Sequence, residues 1–119
     1  MGDYINASYV QGFSHARKFI ATQAPLDHTI ADFWRMIVEQ RVRVIIMLTN
    51  LNERHYRSNE AKCARYWPSK HSHLQQHTYD RVCVTRVISA KQERRDYFVR
   101  QFTVSDLDNV NQEFLGLFY

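Results

Sequence analysis

KFIATQAPLDHTIADFWRMI, residues 18–37, decides the fold. Its first part, Lys18–Gln23, reads as a strand, and Pro25 ends it because proline carries no N–H for a ladder. Thr29 followed by Asp32 has the spacing of a capping box, with Asp in place of the usual Glu or Gln. From there Ile30, Phe33, Trp34, Ile37 and Val38 recur every three or four residues and draw one apolar helix face. Glu39 and Gln40 close that helix, predicted over 29–40.

Working outward, residues 3–11 (DYINASYVQ) alternate loosely and predict a strand, with a turn marked by Gly12 and Ser14. That strand and the one over 18–23 form a plausible antiparallel pair. VRVIIML, residues 42–48, is nearly continuous in apolar and β-branched residues. It predicts a strand buried on both faces, in the middle of a parallel or mixed sheet. Residues 50–62 and 69–76 are polar and predict exposed loops on either side of CARYWP, residues 63–68. Strands are predicted over 79–89 and 96–105, joined as a long hairpin by the charged AKQERRD segment. After Ser105 the residues carry no helix or strand period. The expected fold class is α/β, a mixed sheet with one main helix, in a single unit.

Composition narrows the function. A chain of 119 residues, 45% hydrophobic and 13% aromatic, has the make-up of one small globular domain. No window offers the apolar run needed to cross a bilayer. MGDYINAS has neither the basic nor the apolar region of a signal peptide, and Asn6 breaks the myristoylation pattern. These features, with two widely spaced cysteines, point to a reducing, cytoplasmic setting. The net charge of +4 and pI near 9.3 would suit an anionic partner. Yet the basic residues are scattered, with only the pairs Arg17-Lys18 and Arg94-Arg95 adjacent, so neither nucleic acid nor membrane is expected as a partner.

Chemistry-bearing constellations are sparse. His71, His73 and His77 are spaced in a way that could hold a metal weakly, but Ser, Lys and Gln surround them, and no metal or other cofactor is expected. Cys83 lies between two valines and reads as a small core residue. Cys63 has Lys62 and Arg65 beside it, but no glycine near either thiol would let backbone N–H groups converge on an anion. With three glycines in all, at 2, 12 and 116, no phosphate-cradling loop can be written.

The assembled blocks resemble the protein tyrosine phosphatase family of the cysteine-nucleophile, non-receptor-like class. DYINAS (3–8), FIATQAPL (19–26) with Thr29, and DFWRMI (32–37) are similar to its motifs. VIIMLTN (44–50), Lys62-Cys63 with YWP (66–68), and the strand bearing Tyr97 and Arg100 follow in family order. The resemblance covers residues 3–105, leaving 106–119 as a divergent tail of a single truncated domain spanning 1–119. The ATQAPL variant also looks like those of the polydnaviruses (bracoviruses) of parasitoid wasps. That likeness implies a viral protein acting on host-cell signalling in the host cytoplasm.

The resemblance implies a partial phosphatase fold lacking the catalytic half. Thr29, Asp32, Phe33, Trp34, Arg35 and Met36, with Tyr66, Trp67 and Pro68, correspond to scaffold positions. Glu53 and Lys62 match the acidic and basic positions of a loop flanking the catalytic pocket, although the loop between them is longer than the family's. The family's substrate-stacking Tyr loop, its WPD general-acid loop and its HCxxGxxR phosphate loop have no match. No catalytic or phosphate-binding residue is therefore assigned, and the chain is expected to be inactive, a pseudophosphatase. The alternatives are a non-enzymatic module or decoy for phosphoproteins, or a fragment of a longer active phosphatase. Losing the catalytic half is also expected to expose apolar surface and favour self-association.

Overall fold

The computed structural model describes residues 4–51, 62–71, 73–87, 92–93 and 95–118. In chain order these form strands β1 (Ala7–Val10) and β2 (Phe19–Thr22), helix α1 (Ile30–Glu39) and strand β3 (Val44–Ile46). A tight turn at His73–Gln75 precedes strands β4 (Gln76–Tyr79), β5 (Val82–Arg86), β6 (Gln92–Glu93), β7 (Phe98–Asp106) and β8 (Asn109–Phe118).

β1 and β2 pair antiparallel as a separate two-stranded ribbon, as expected, with Tyr9 opposite Ile20. Gly12 is needed in their connection: a Cβ there would lie 2.6 Å from that of Lys18. The main sheet runs β3-β8-β7-β5-β4, with β6 paired to β7. It is mixed, because β3 lies parallel to β8 while the other pairs are antiparallel. Helix α1 covers one face. Phe33, Trp34 and Ile37 meet Val82 and Val84 of β5, Phe102 and Val104 of β7, and Leu117 of β8 in one core. The two-residue alternation of β7 turns Phe102 and Val104 inward while Gln101 stays exposed.

Four expectations need correction. The tail after Ser105 is a strand: β8 folds back on β7 through the turn at Leu107–Asp108, and its far end pairs with β3. Pairing with two neighbours, rather than a local apolar period, decides its conformation. The stretch 42–48 is not central; β3 is three residues long and, among the described residues, stands at the end of the sheet with Val44 and Ile46 exposed. The strand expected over 79–89 is interrupted at its start, because Asp80, at φ 56°, turns the chain between β4 and β5. Gln76 consequently belongs to a strand, not a loop.

The capping box also fails to form. Thr29 is the N-cap of α1 but makes no side-chain cap bond. Its Oγ1 instead accepts from the Leu26 N–H at 2.9 Å and donates to the Leu26 carbonyl at 3.2 Å, closing the turn before the helix. Asp32 pairs with Arg35 one turn on, at 3.3 Å. At the other end α1 stops in a Schellman motif, with Arg41 at φ 52°. There the Val42 N–H donates to Ile37 at 3.0 Å and the Arg41 N–H to Val38 at 3.1 Å.

Candidate functional site

Four of the residues singled out in the sequence, Phe33, Trp34, Tyr66 and Trp67, converge on one aromatic cluster between α1 and the segment 62–68. Helical spacing sends Phe33 and Trp34 to the same buried side, and Tyr66 and Trp67 come down onto them. The Phe33 and Tyr66 rings meet edge to face with centroids 4.9 Å apart, and Tyr66 meets Trp67 at the same distance. Phe33 and Trp34 touch edge to face at 5.7 Å. A strong polar link ties the two segments: Trp34 Nε1 donates to the Tyr66 carbonyl at 2.6 Å. The Ala64 N–H donates to the Pro25 carbonyl at 2.7 Å, anchoring the same segment to the turn ahead of α1. Pro68 is buried, and the Arg65 guanidinium lies over the Trp67 ring at 5.5 Å.

Tyr79 completes the cluster, stacked on Trp34 at 6.1 Å, which sequence reasoning missed. The signal was Tyr79's place beside the Asp80 turn, which aims the end of β4 at the helix. Burial pushes the Tyr79 phenol up to about 12, against the opposing pull of the Arg65 charge. The Tyr66 phenol is raised further, by burial first and by nearby Cys63 second. Both rings therefore stay neutral near pH 7 and contribute packing and dipoles, not proton transfer.

Arg35 and Met36, the latter also packed against the core, reach toward the β1–β2 ribbon. With Asp32, Glu39, Gln40 and Tyr9 they line a cavity of about 200 Å³ between the helix and the β1–β2 ribbon. Tyr9 Oη donates to Gln40 Oε1 at 2.8 Å across it, and Glu39 pairs with Arg81 at 3.0 Å. Each carboxylate is thus matched by an arginine. Among the described residues no cluster of three or more His, Cys, Asp or Glu is placed to hold a metal; His71, His73 and His77 are exposed.

Lys62 is exposed at the start of the 62–68 segment, and Glu53 lies outside the described residues. Both cysteines are buried. Cys63, at 2% exposure, donates to the Ala64 carbonyl, and Cys83, at 5%, receives the Gln76 side-chain amide within β5. The arrangement supports a helix on a sheet and presents neither cysteine to solvent.

Residues 1–116 match the family model described as protein-tyrosine phosphatase. The chain belongs to the protein-tyrosine phosphatase family. Over 68 residues it is 56% identical to Tyrosine-protein phosphatase 69D of Drosophila melanogaster, covering 57% of this chain and 4% of the relative. Over 108 residues it is 43% identical to Receptor-type tyrosine-protein phosphatase alpha of Mus musculus, covering 91% of this chain and 12% of the relative. Receptor-type tyrosine-protein phosphatase C of Homo sapiens is 55% identical over 67 residues, covering 56% of this chain and 5% of the relative. The chain thus spans a small part of these phosphatases, two of which are named receptor-type. A polydnavirus source gains no support from them. No helix among the described residues is long and apolar enough to cross a membrane.

Proposed function

We propose that these 119 residues form a scaffold portion of a tyrosine-phosphatase domain and do not hydrolyse phosphotyrosine by themselves. The observation that carries this reading is the placement of the thiols. A phosphocysteine mechanism needs a solvent-reachable thiolate ringed by backbone N–H groups and an arginine. Cys63 is 2% exposed and Cys83 5% exposed, and neither is followed by the xxGxxR that would form the ring. Cys83 is moreover held in the ladder of β5, opposite Ser105 of β7 and Thr78 of β4. Two cysteines, both buried and widely spaced in sequence, suit a reducing compartment, and we place the chain in the cytoplasm.

The test is an aryl-phosphate assay on the purified chain beside Cys63→Ser and Cys83→Ser. The expected result is turnover equal to buffer for all three. Turnover above buffer that either substitution abolishes would overturn the proposal.

A second reading is favoured by the small share of each relative that the chain spans, 4% to 12% in the three above: the segment serves inside a longer, active phosphatase. Sequencing the full transcript separates the readings. An open frame running on into an HCxxGxxR block establishes the second, and a stop codon after Tyr119 removes it.

A further inference from the structure

We infer that the stretch from Arg65 to Tyr79 docks an acidic peptide segment of a partner protein, with Arg65, His77 and Tyr79 holding one of its carboxylates. No Asp or Glu occurs from 61 to 79, whereas Arg65, Lys70, His71, His73 and His77 all fall there, and all five are exposed. None of the five is in an ion pair among the described residues. Asp80, the next carboxylate in the chain, sits in the turn into β5 and pairs with none of them.

The fold gathers three hydrogen-bond donors of this stretch at one spot. His77 and Tyr79 are two apart on β4, so alternation puts both side chains on one face, and their rings lie 4.5 Å apart. The stacking of Tyr79 on Trp34 fixes that face as the one beside α1. Arg65 arrives from the segment 62–68. Its guanidinium lies over the Trp67 ring, which steadies it, and its charge is felt at the Tyr79 phenol. Arginine offers five N–H donors and no acceptor, and a histidine ring keeps at least one N–H donor in either charge state. The Tyr79 hydroxyl is protonated near pH 7 and makes no hydrogen bond among the described residues. Three donors with no acceptor among them call for an oxyanion.

The turn ahead of β4 selects a peptide as the carrier of that oxyanion. Leu74 and Gln75 both stand at positive φ, 53° and 51°, where residues other than glycine are strained. The turn leaves Leu74 71% exposed, between His73 and His77 in the chain. A free anion would satisfy the donors and leave this leucine bare. Membrane binding takes a broad apolar helix face, and duplex nucleic acid takes rows of Lys and Arg on its phosphates. Here a lone leucine stands among mixed Arg, Lys and His, and a peptide that sets an apolar residue between carboxylates matches both features. The inference holds whether or not the chain hydrolyses phosphotyrosine.

The test is fluorescence anisotropy of a labelled Glu-Glu-Leu-Glu-Glu peptide titrated with the full 119-residue chain at low ionic strength. Saturable binding is expected, and it should weaken as salt is added. Arg65→Gln should raise the dissociation constant by roughly tenfold, since it removes a charge-assisted hydrogen bond. Tyr79→Phe keeps the ring on Trp34 and removes the hydroxyl, and Leu74→Asn tolerates the left-handed backbone and removes the apolar contact. Each should weaken binding by roughly threefold or more. Arg17→Gln makes the same change of net charge beside the β1–β2 ribbon and should leave binding within about twofold of the parent. Circular dichroism matching the parent shows that each variant is folded. The Gln-Gln-Leu-Gln-Gln peptide should not bind, and duplex DNA and phosphatidylserine vesicles should bind more weakly than the acidic peptide. No saturable binding, an equal loss for Arg17→Gln and Arg65→Gln, or tighter binding to DNA or vesicles would each overturn the inference.

Discussion

The indole N–H of Trp34 donates a 2.6 Å hydrogen bond to the main-chain carbonyl of Tyr66, across 32 residues of sequence. Trp34 is fully buried, so this bond is shielded from water and locks the helix to the segment that supplies Tyr66, Trp67 and Pro68. Its polar and apolar roles can be separated. Trp34→Phe keeps most of the ring but orphans the buried carbonyl, which is expected to cost about 1–3 kcal/mol. Trp34→Ala also opens a cavity and is expected to cost about 3–5 kcal/mol. Urea unfolding followed by fluorescence of the remaining Trp67 measures both. Equal losses for the two variants would show that the hydrogen bond alone matters and that the packing of the ring adds nothing.

Arg41 occupies the left-handed position of a Schellman motif, where glycine is the usual residue. An L-residue there carries a backbone cost of roughly 1–2 kcal/mol, partly offset by the greater entropy that glycine loses on folding. Arg41→Gly is therefore expected to raise stability by about 0.5–1 kcal/mol. Arg41→Ala removes the same side chain but keeps Cβ, and should give no such gain. A thermal melt showing the same rise for Ala and Gly would assign the effect to charge and sink the backbone explanation.

How far the fold could be read from the residues follows from where each decision is made. Helix α1 and the β1–β2 pair were legible because their signals are local: the three- and four-residue spacing from Ile30 to Val38, and the turn at Gly12. The buried positions of Cys83, Phe33 and Trp34 followed from their apolar neighbours. β3 and β8 were not legible, because their states depend on each other. Seven apolar-rich residues at 42–48 look alike in a central or an edge strand, and β8 gains its conformation from β7 and β3. Among the site residues, Phe33, Trp34, Tyr66 and Trp67 were named one by one, but the ring contacts that join them could not be read from sequence. Tyr79 was missed because its stacking on Trp34 depends on the turn at Asp80, a position whose positive φ no apolar pattern announces.

Thr29 and Asp32 offer a direct test of which device begins α1. Thr29 Oγ1 is joined to both the N–H and the carbonyl of Leu26, whereas Asp32 pairs with Arg35. Thr29→Val, which keeps the shape and removes the hydroxyl, is expected to cost about 1 kcal/mol or somewhat more, and Thr29→Ser should restore most of it. Asp32→Asn should cost less than about 1 kcal/mol, since it weakens a part-exposed ion pair at the helix N-terminus. In a capping box the two positions would act as a coupled pair. A double-mutant cycle over Thr29→Val and Asp32→Asn is thus expected to show no coupling beyond error, and strong coupling would restore the box.

The raised phenols set the alkaline limit of the fold. Tyr79 titrates at about 12 in the folded chain, against 10.0 for an unburied tyrosine, and Tyr66 is raised further in the same direction. Below pH 10 both rings are protonated whether the chain is folded or not, so their contribution to stability is fully present. Above that pH the unfolded chain loses these protons first. Stability should therefore fall as pH rises from about 10 through 12, because the folded state binds more protons. The urea midpoint measured from pH 8 to 12 is expected to be flat at first and then to drop. Tyr79→Phe removes one proton from that linkage and should make the drop shallower, whatever its effect on the plateau. A parent midpoint that stays level to pH 12, or a slope that Tyr79→Phe does not reduce, would show that these rings are not what limits the fold in base.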